Sequence, residues 1–157
     1  MTGAIDDLYE TDFFRWTKAQ AAELRRMRRD RVNTGLDLAR LAEEVEKLGK
    51  SERDACRSRL RRIIAHCLKL RHSPATAPRG RWRATIIEAR GILGDKLSPT
   101  SKRDLRQSLP DLYASGRAWA AAELADYGEE SAAEAFPAAC PYSLDELLDP
   151  DWFPDNS

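Results

Sequence analysis

Apolar residues recur at intervals of three and four positions along most of this chain, and this spacing is the feature that most constrains its fold. The clearest case is the segment with Cys56, Leu60, Ile63, Cys67 and Leu70. Because a helix completes a turn every 3.6 residues, such spacing gathers apolar side chains into one stripe. No segment alternates apolar and polar residues over strand length. The spacing therefore predicts an all-α fold, and 157 residues with 42% apolar content suit a single helical domain, residues 1–157.

Capping residues and glycines give the predicted boundaries of the first four helices. Thr11 or Asp12 caps the first helix, and Gly49 is interpreted as the residue that ends the second. Ser51 then caps the third, so the second and third helices should form an antiparallel hairpin. The predicted helices cover about residues 12–29, 36–48, 51–71 and 82–97. The stripe of the second helix, expected to face the core, consists of Leu38, Leu41, Val45 and Leu48.

A fifth helix is predicted to begin at Ser98 and Pro99, which suit the N-cap and the first helical position. It reaches about Tyr127, and Gly128 follows. Pro110 lies inside this stretch and lacks the N–H that a helix interior needs, so the stretch is predicted to be either kinked or divided into two helices.

The C-terminal tail, residues 136–157, differs from the rest because it combines prolines with aromatic residues in short apolar pieces. Ser143 and Glu146 form a capping box, which predicts one short helix from Leu144 to Asp149. We therefore expect a bundle of four to five main helices with an irregular tail that wraps the bundle and carries this short helix.

Composition argues against a membrane or secreted protein. No run approaches 18 consecutive apolar residues, and the acidic first ten residues contain no apolar signal region, so we expect a cytoplasmic protein with no membrane partner. The odd set of Cys56, Cys67 and Cys140 has no C-x-x-C spacing, which favours reduced thiols. Frequent arginine and alanine indicate a bacterial source.

Charge is segregated along the chain although the net charge is zero. Residues 50–90 contain 12 Lys or Arg against 3 Asp or Glu. Such a segment could bind phosphates, with a tryptophan stacking on a base, and the turn predicted at Gly49 is reminiscent of a helix-turn-helix. The alternative is a solvated face neutralised by residues 111–157, which contain 11 acidic residues. The candidate nucleic-acid contacts are Arg79, Arg81, Trp82 and Arg83.

Four polar residues are predicted on or beside the apolar stripes of different helices: Gln20, Glu44, His66 and Glu123. Buried polar groups need partners, so these four could meet inside the bundle. One interpretation is a metal site formed by Glu44, His66 and Glu123. However, Ile63 stands where the Glu-x-x-His motif of helical di-iron sites would place a glutamate. The alternative is a set of structural hydrogen bonds with no metal and no cofactor.

Five motifs stand in order along nearly the whole chain. They are Tyr9-Glu10-Thr11-Asp12-Phe13 with Trp16, Leu41 to Glu46 with Leu48-Gly49, Leu60 to Lys69 with His66, Trp82 to Ile86, and Phe136-Pro137 with Cys140-Pro141-Tyr142 and Leu147-Leu148-Asp149. This ordered set resembles the helical bacterial family called domain of unknown function 29. The resemblance implies a helical fold and supplies no reaction, cofactor or catalytic residue.

Three functions remain open at this point. The leading hypothesis is a protein-interaction or binding module that works with a protein partner or as a homodimer. The second is nucleic-acid binding through residues 50–90, and the third is a metal-assisted enzyme with a cluster of Glu and His between helices. The sequence contains no P-loop, dinucleotide fingerprint, H-E-x-x-H or nucleophile elbow, which favours a role other than catalysis.

Overall fold

The computed structural model describes the backbone of residues 3–155 and the side chains of residues 7–155. This part of the chain contains no strand, which confirms the predicted all-α fold. None of its helices combines the length and the apolar character that crossing a membrane requires. The helices are α1 (Gly3–Thr11), α2 (Phe13–Arg29), α3 (Leu38–His72), α4 (Arg79–Gly94), α5 (Pro99–Asp126), α6 (Glu130–Glu134) and α7 (Leu144–Leu148).

Three predicted helix caps are present. Asp12 caps α2 by accepting the Arg15 N–H at 3.1 Å, and the Ser98 hydroxyl accepts the Ser101 N–H at 3.1 Å at the start of α5. The capping box of Ser143 also forms, with side-chain and backbone groups bonded in both directions. Each cap satisfies an N–H that a helix leaves without a partner in its first turn, which explains why these helices begin where they do.

Helix α3 is one continuous helix of 35 residues, so the predicted break at Gly49 and the predicted antiparallel hairpin are wrong. Gly49 serves close packing instead of helix termination. A Cβ atom placed on it would lie 2.1 Å from Oγ1 of Thr17 and 3.3 Å from the ring of Phe14 on α2. Only a residue without a side chain lets the two helices approach this closely. Because the chain does not turn at Gly49, the comparison with a helix-turn-helix is wrong as well.

The apolar stripe predicted for this part of α3 is also partly wrong. Leu38 is buried, but Leu41 and Leu48 are 37% and 54% exposed. Ala42 and Gly49 occupy the buried side in their place. The buried face is therefore rotated toward the small residues, because these permit the close approach of α2.

Two compact units make up the chain. The first contains the residues up to Ala55 together with Leu97–Asp104, and its buried residues include Thr17, Ala21, Leu38 and Ala42. The second contains Cys56–Lys96 and the residues from Leu105 onward. Its core is larger and includes Leu60, Ile63, Ile64, Leu68, Leu70, Ile86, Leu93, Leu105, Tyr113, Leu124 and Leu147.

In the second unit α5 packs closely on α3 at Gly116. A Cβ atom at this position would lie 3.1 Å from the carbonyl oxygen of Arg61 and from the side chain of Ile64. Pro110 lies inside α5 without dividing it into two helices. The positive φ of 75° at Gly128 follows the end of α5 and is readily adopted only by glycine.

Within the second unit, hydrogen bonds hold the tail against α4 and α5. Arg90 of α4 is buried, and its Nε donates to the carbonyl oxygen of Leu147 at 2.8 Å. The Tyr113 hydroxyl of α5 donates to the carbonyl oxygen of Pro137. Arg90 therefore satisfies a carbonyl at the C-terminal end of α7, a place where helices favour positive charge.

Replacing Gly49 with alanine tests the close approach of α2 and α3. The Thr17 hydroxyl donates to the carbonyl oxygen of Phe14 at 2.7 Å and is buried, so the backbone must shift to admit a methyl group. We expect Gly49→Ala to lower the free energy of unfolding by about 1–3 kcal/mol, measured by urea denaturation. Gly91→Ala in α4 is the control because nothing lies near its Cβ position. That variant should gain up to about 1 kcal/mol from helix propensity, and equal gains in both variants would contradict this role of Gly49.

Candidate functional site

The second unit contains a cavity of about 670 Å³ that lies beside the C-terminal ends of α3 and α5 and the first turns of α4. Its volume falls within the range of small-molecule sites. The side chains that carry chemistry on its inner wall are His66, Lys69, Trp82 and Glu123. We call this the α3–α5 cavity.

Lys69 is the most unusual residue of the cavity. Its side chain is only 4% exposed, and its Nζ lies 2.5 Å from Oε2 of Glu123 on α5. The same Nζ lies 5.2 Å from the ring centre of Trp82 and 5.9 Å from that of Trp119. Removing an ammonium group from water costs several kcal/mol unless it is paired, so the carboxylate and the two aromatic rings together make this burial possible.

His66 lies one turn before Lys69 on α3 and is also buried. Its Nδ1 lies 2.9 Å from the carbonyl oxygen of Arg62, and its ring packs edge-on against Trp119. Burial, with a smaller effect from the Lys69 charge, lowers the pKa of His66 to about 4. The imidazole is therefore neutral at pH 7. Because Nδ1 must donate to the carbonyl, Nε2 has no proton and is a hydrogen-bond acceptor.

The outer wall of the cavity mixes charges with an exposed aromatic ring. Arg81 and Asp126 lie there, and Tyr127 is 73% exposed. Glu129 is fixed by the Ser73 hydroxyl, which donates to its Oε1 at 2.5 Å. Thr85 lines the cavity too, with its hydroxyl donating to the carbonyl oxygen of Arg81 at 3.0 Å. The cavity therefore presents polar groups on both walls and an apolar surface at Trp82.

The predicted polar cluster is partly assembled. His66 and Glu123 both line the cavity, whereas Gln20 and Glu44 belong to the first unit. Glu44 lies on the surface and pairs with Lys47 at 3.1 Å. Within the described residues, no group of three His, Cys, Asp or Glu side chains is placed to hold a metal ion. His66 and Glu123 have different hydrogen-bond partners: His66 bonds to the carbonyl oxygen of Arg62, and Glu123 accepts from Lys69, which lies outside the predicted cluster.

The candidate nucleic-acid residues are in different environments. The Arg79 guanidinium donates to the carbonyl oxygen of Leu70 at 2.6 Å, so it satisfies a carbonyl in the last turn of α3. Trp82 is buried beside Lys69 and lines the α3–α5 cavity, so it is not a surface ring on which a base could stack. Arg81 and Arg83 are exposed. Only these last two retain the arrangement that phosphate contacts require.

Sequence reasoning missed Lys69, the residue that organises the cavity. It lies in an unbroken run of buried residues from Ile63 to Leu70, where lysine is rare. That anomaly was visible in the sequence, because the run contains no other charged residue. The sequence did not show that Glu123 is the partner of Lys69, because the two residues are 54 positions apart.

Lowering the pH should destabilise the protein through His66. Since folding lowers its pKa from 6.5 to about 4, the unfolded chain binds more protons between these values. This contribution to stability is complete above pH 6.5, is lost as the pH falls toward 4, and amounts to about 3 kcal/mol. His66→Gln should lack this loss, so the difference between the unfolding free energies of wild type and variant should shrink from pH 7 to pH 4. A constant difference would show that His66 does not titrate in this way.

Comparison with known proteins places the chain in a structural context. A family model described as Domain of unknown function DUF29 matches residues 8–153. The fold is similar to the crystal structure of an alpha-helical protein of unknown function from Rhodospirillum rubrum, with 27% identity and a TM-score of 0.80. That similarity covers 92% of this chain and 90% of the other. No curated protein matches the chain. The family predicted from the ordered motifs is thus confirmed.

Proposed function

This chain belongs to the family described as Domain of unknown function DUF29, and because that description assigns no activity, we propose a function from its own geometry. The protein is a binding module, and a small ligand enters the α3–α5 cavity. The observation that carries this proposal is the ion pair between the buried Lys69 and the partly exposed Glu123, which borders open space of about 670 Å³.

Burying the charged side chain of Lys69 costs free energy. A buried ion pair is seldom more stable than apolar residues of similar volume, so it contributes little to folding on its own. Here one cavity is bordered by the carboxylate and the ammonium of this pair, by the neutral His66 and by the ring of Trp82. A few convergent polar groups against an apolar wall are the usual composition of ligand sites. Binding explains this arrangement better than stability does.

The cellular setting that we propose is the bacterial cytoplasm. Cys67 and Cys140 form no disulfide, and Cys67 is buried. Thiols that form no disulfide suit a reducing compartment. The frequent arginine and alanine residues support a bacterial source.

Filling the cavity tests the proposal. Ala77 lines the cavity and is itself exposed, so Ala77→Phe adds a ring at the entrance without disturbing the core. We expect saturation-transfer NMR with a library of small aromatic fragments to find ligands for the wild type. Ala77→Phe should weaken their binding about tenfold or more, because the ring occupies the space that they need.

Ala138→Phe is the matched control, since Ala138 is an exposed loop residue of the same unit outside the cavity. It should bind the fragments like the wild type, and both variants should keep the wild-type circular dichroism spectrum. Equal binding by Ala77→Phe and the wild type would place the fragments elsewhere. A library without any binder would contradict the proposed function.

A second candidate function, self-association, is favoured by a different observation in the first unit. Leu41 and Leu48 are exposed on α3, and the half-buried Val45 lies between them at helical spacing. Exposed leucines that recur on one face of a helix are typical of helix-to-helix interfaces. A second copy of the chain could cover this stripe through a twofold arrangement, in which the same surface serves both partners.

Charge reversal on the stripe tests self-association. We expect the double variant Leu41→Glu, Leu48→Glu to shift the mass measured by light scattering from dimer to monomer, because four carboxylates would then meet across a twofold interface. The variant should keep the wild-type circular dichroism spectrum, since these are surface sites. The double variant Arg40→Glu, Lys47→Glu changes exposed residues beside the stripe and serves as the control. A monomeric wild type would exclude this candidate.

A further inference from the structure

We propose that the α3–α5 cavity selects an organic cation, a primary ammonium or guanidinium group attached to an apolar body. This inference rests on the proposed binding function and adds the chemical class of the ligand. Its basis is the acceptor groups, the net charge and the aromatic rings of the cavity lining.

The carboxylate of this ion pair is more accessible than the ammonium. The side chain of Glu123 is 37% exposed, against 4% for Lys69. A ligand that enters the cavity therefore meets the carboxylate of Glu123 before the ammonium of Lys69. The charge of Lys69 is itself balanced at 2.5 Å by one oxygen of Glu123, which leaves the second oxygen available as an acceptor.

His66 and Thr85, which also line the cavity, each add an acceptor. His66 uses its one ring proton on the carbonyl oxygen of Arg62, which leaves the lone pair of Nε2. Thr85 uses its hydroxyl proton on the carbonyl oxygen of Arg81, which leaves the oxygen lone pairs. Groups that only accept require a ligand that donates, and an ammonium or guanidinium group is the richest donor among organic ligands.

The charges around the whole cavity favour the same sign. Three carboxylates line it, those of Glu123, Asp126 and Glu129, against two cations, Lys69 and Arg81. With His66 neutral, the lining carries one net negative charge. An attractive field of this kind raises the local concentration of cations and disfavours phosphates and carboxylates.

Aromatic rings complete the site for an apolar cation. Trp82 lines the cavity, and its ring already lies beneath the ammonium of Lys69, so its electrostatic character suits a positive charge. Tyr127 adds an exposed ring at the outer wall. The apolar body of the ligand can pack on these rings while its charged end reaches Glu123.

Three probes of nearly equal shape test the proposal: benzylamine, benzyl alcohol and benzoate, which carry charges of about +1, 0 and −1 at pH 7. Each is titrated into the full chain while the indole N–H signal of Trp82 is followed by NMR. We expect benzylamine to bind about tenfold more tightly than benzoate, with benzyl alcohol between them. Salt should weaken benzylamine binding and leave benzyl alcohol unaffected, because only the charged probe is screened.

Neutralising the outer carboxylates identifies the groups responsible. The double variant Asp126→Asn, Glu129→Gln keeps shape and acceptor oxygens, and it should weaken benzylamine about threefold or more without changing benzyl alcohol. Glu134→Gln is the matched control, since Glu134 is an exposed carboxylate outside the cavity. If the control weakened benzylamine binding equally, the net charge of the protein, and not the cavity, would govern binding.

The outcomes separate the ligand class from the binding function. If benzoate binds at least as tightly as benzylamine, or if fragments blocked by Ala77→Phe include no amine, the cationic class is wrong while the cavity remains a binding site. If no fragment binds, both proposals fail. If benzylamine binds as expected, a comparison of two further ligands identifies the source of the cation: putrescine, and lysine with both backbone ends blocked. Tighter putrescine binding indicates a free amine, and tighter lysine binding indicates the side chain of a protein; binding of either supports the class.

Discussion

The second half of α3 is enclosed on every side, and the rest of the second unit is organised around it. All eight residues from Ile63 to Leu70 are buried, which spans more than two turns. A helix on the surface of a bundle keeps one face in water, whereas this segment has none. Any polar residue within it must therefore find its partners inside the protein. His66 and Lys69 are the two polar residues that meet this requirement.

Their partners come from different distances along the chain. His66 is satisfied by its own helix, through the carbonyl oxygen of Arg62, and it stays neutral because burial opposes its positive charge. The ammonium of Lys69 is paired with Glu123 of α5 at 2.5 Å and lies 5.2 Å from the ring centre of Trp82. The close packing of α5 on α3 at Gly116 belongs to the same arrangement. The cavity thus borders the ion pair of this enclosed segment.

Local sequence features predicted the local structure well. The caps at Asp12, Ser98 and Ser143 form because each depends on residues within three positions. Gly49 was misinterpreted because a glycine that ends a helix and a glycine that admits a neighbouring helix look alike in one sequence. The contact that distinguishes them involves Thr17, 32 positions earlier. The same misinterpretation placed Leu41 and Leu48 in the core, although the helix is rotated to bring its small residues toward α2.

Part of the cavity lining could be predicted from the sequence, because helical spacing is a local feature. Helical spacing placed His66 and Glu123 near the interior, but it left Lys69 outside the predicted cluster because lysine is normally at the surface. A lysine inside a continuous apolar run is more informative than its average behaviour suggests. Either the helix ends at the lysine, or the fold must place an acidic side chain beside it. Since α3 continues to His72, the second condition holds, and an acidic residue on an inner helix face becomes the expected partner. By that reasoning Glu123 acts first as the counter-charge of Lys69, and its exposed remaining oxygen gives the cavity its preference for donors.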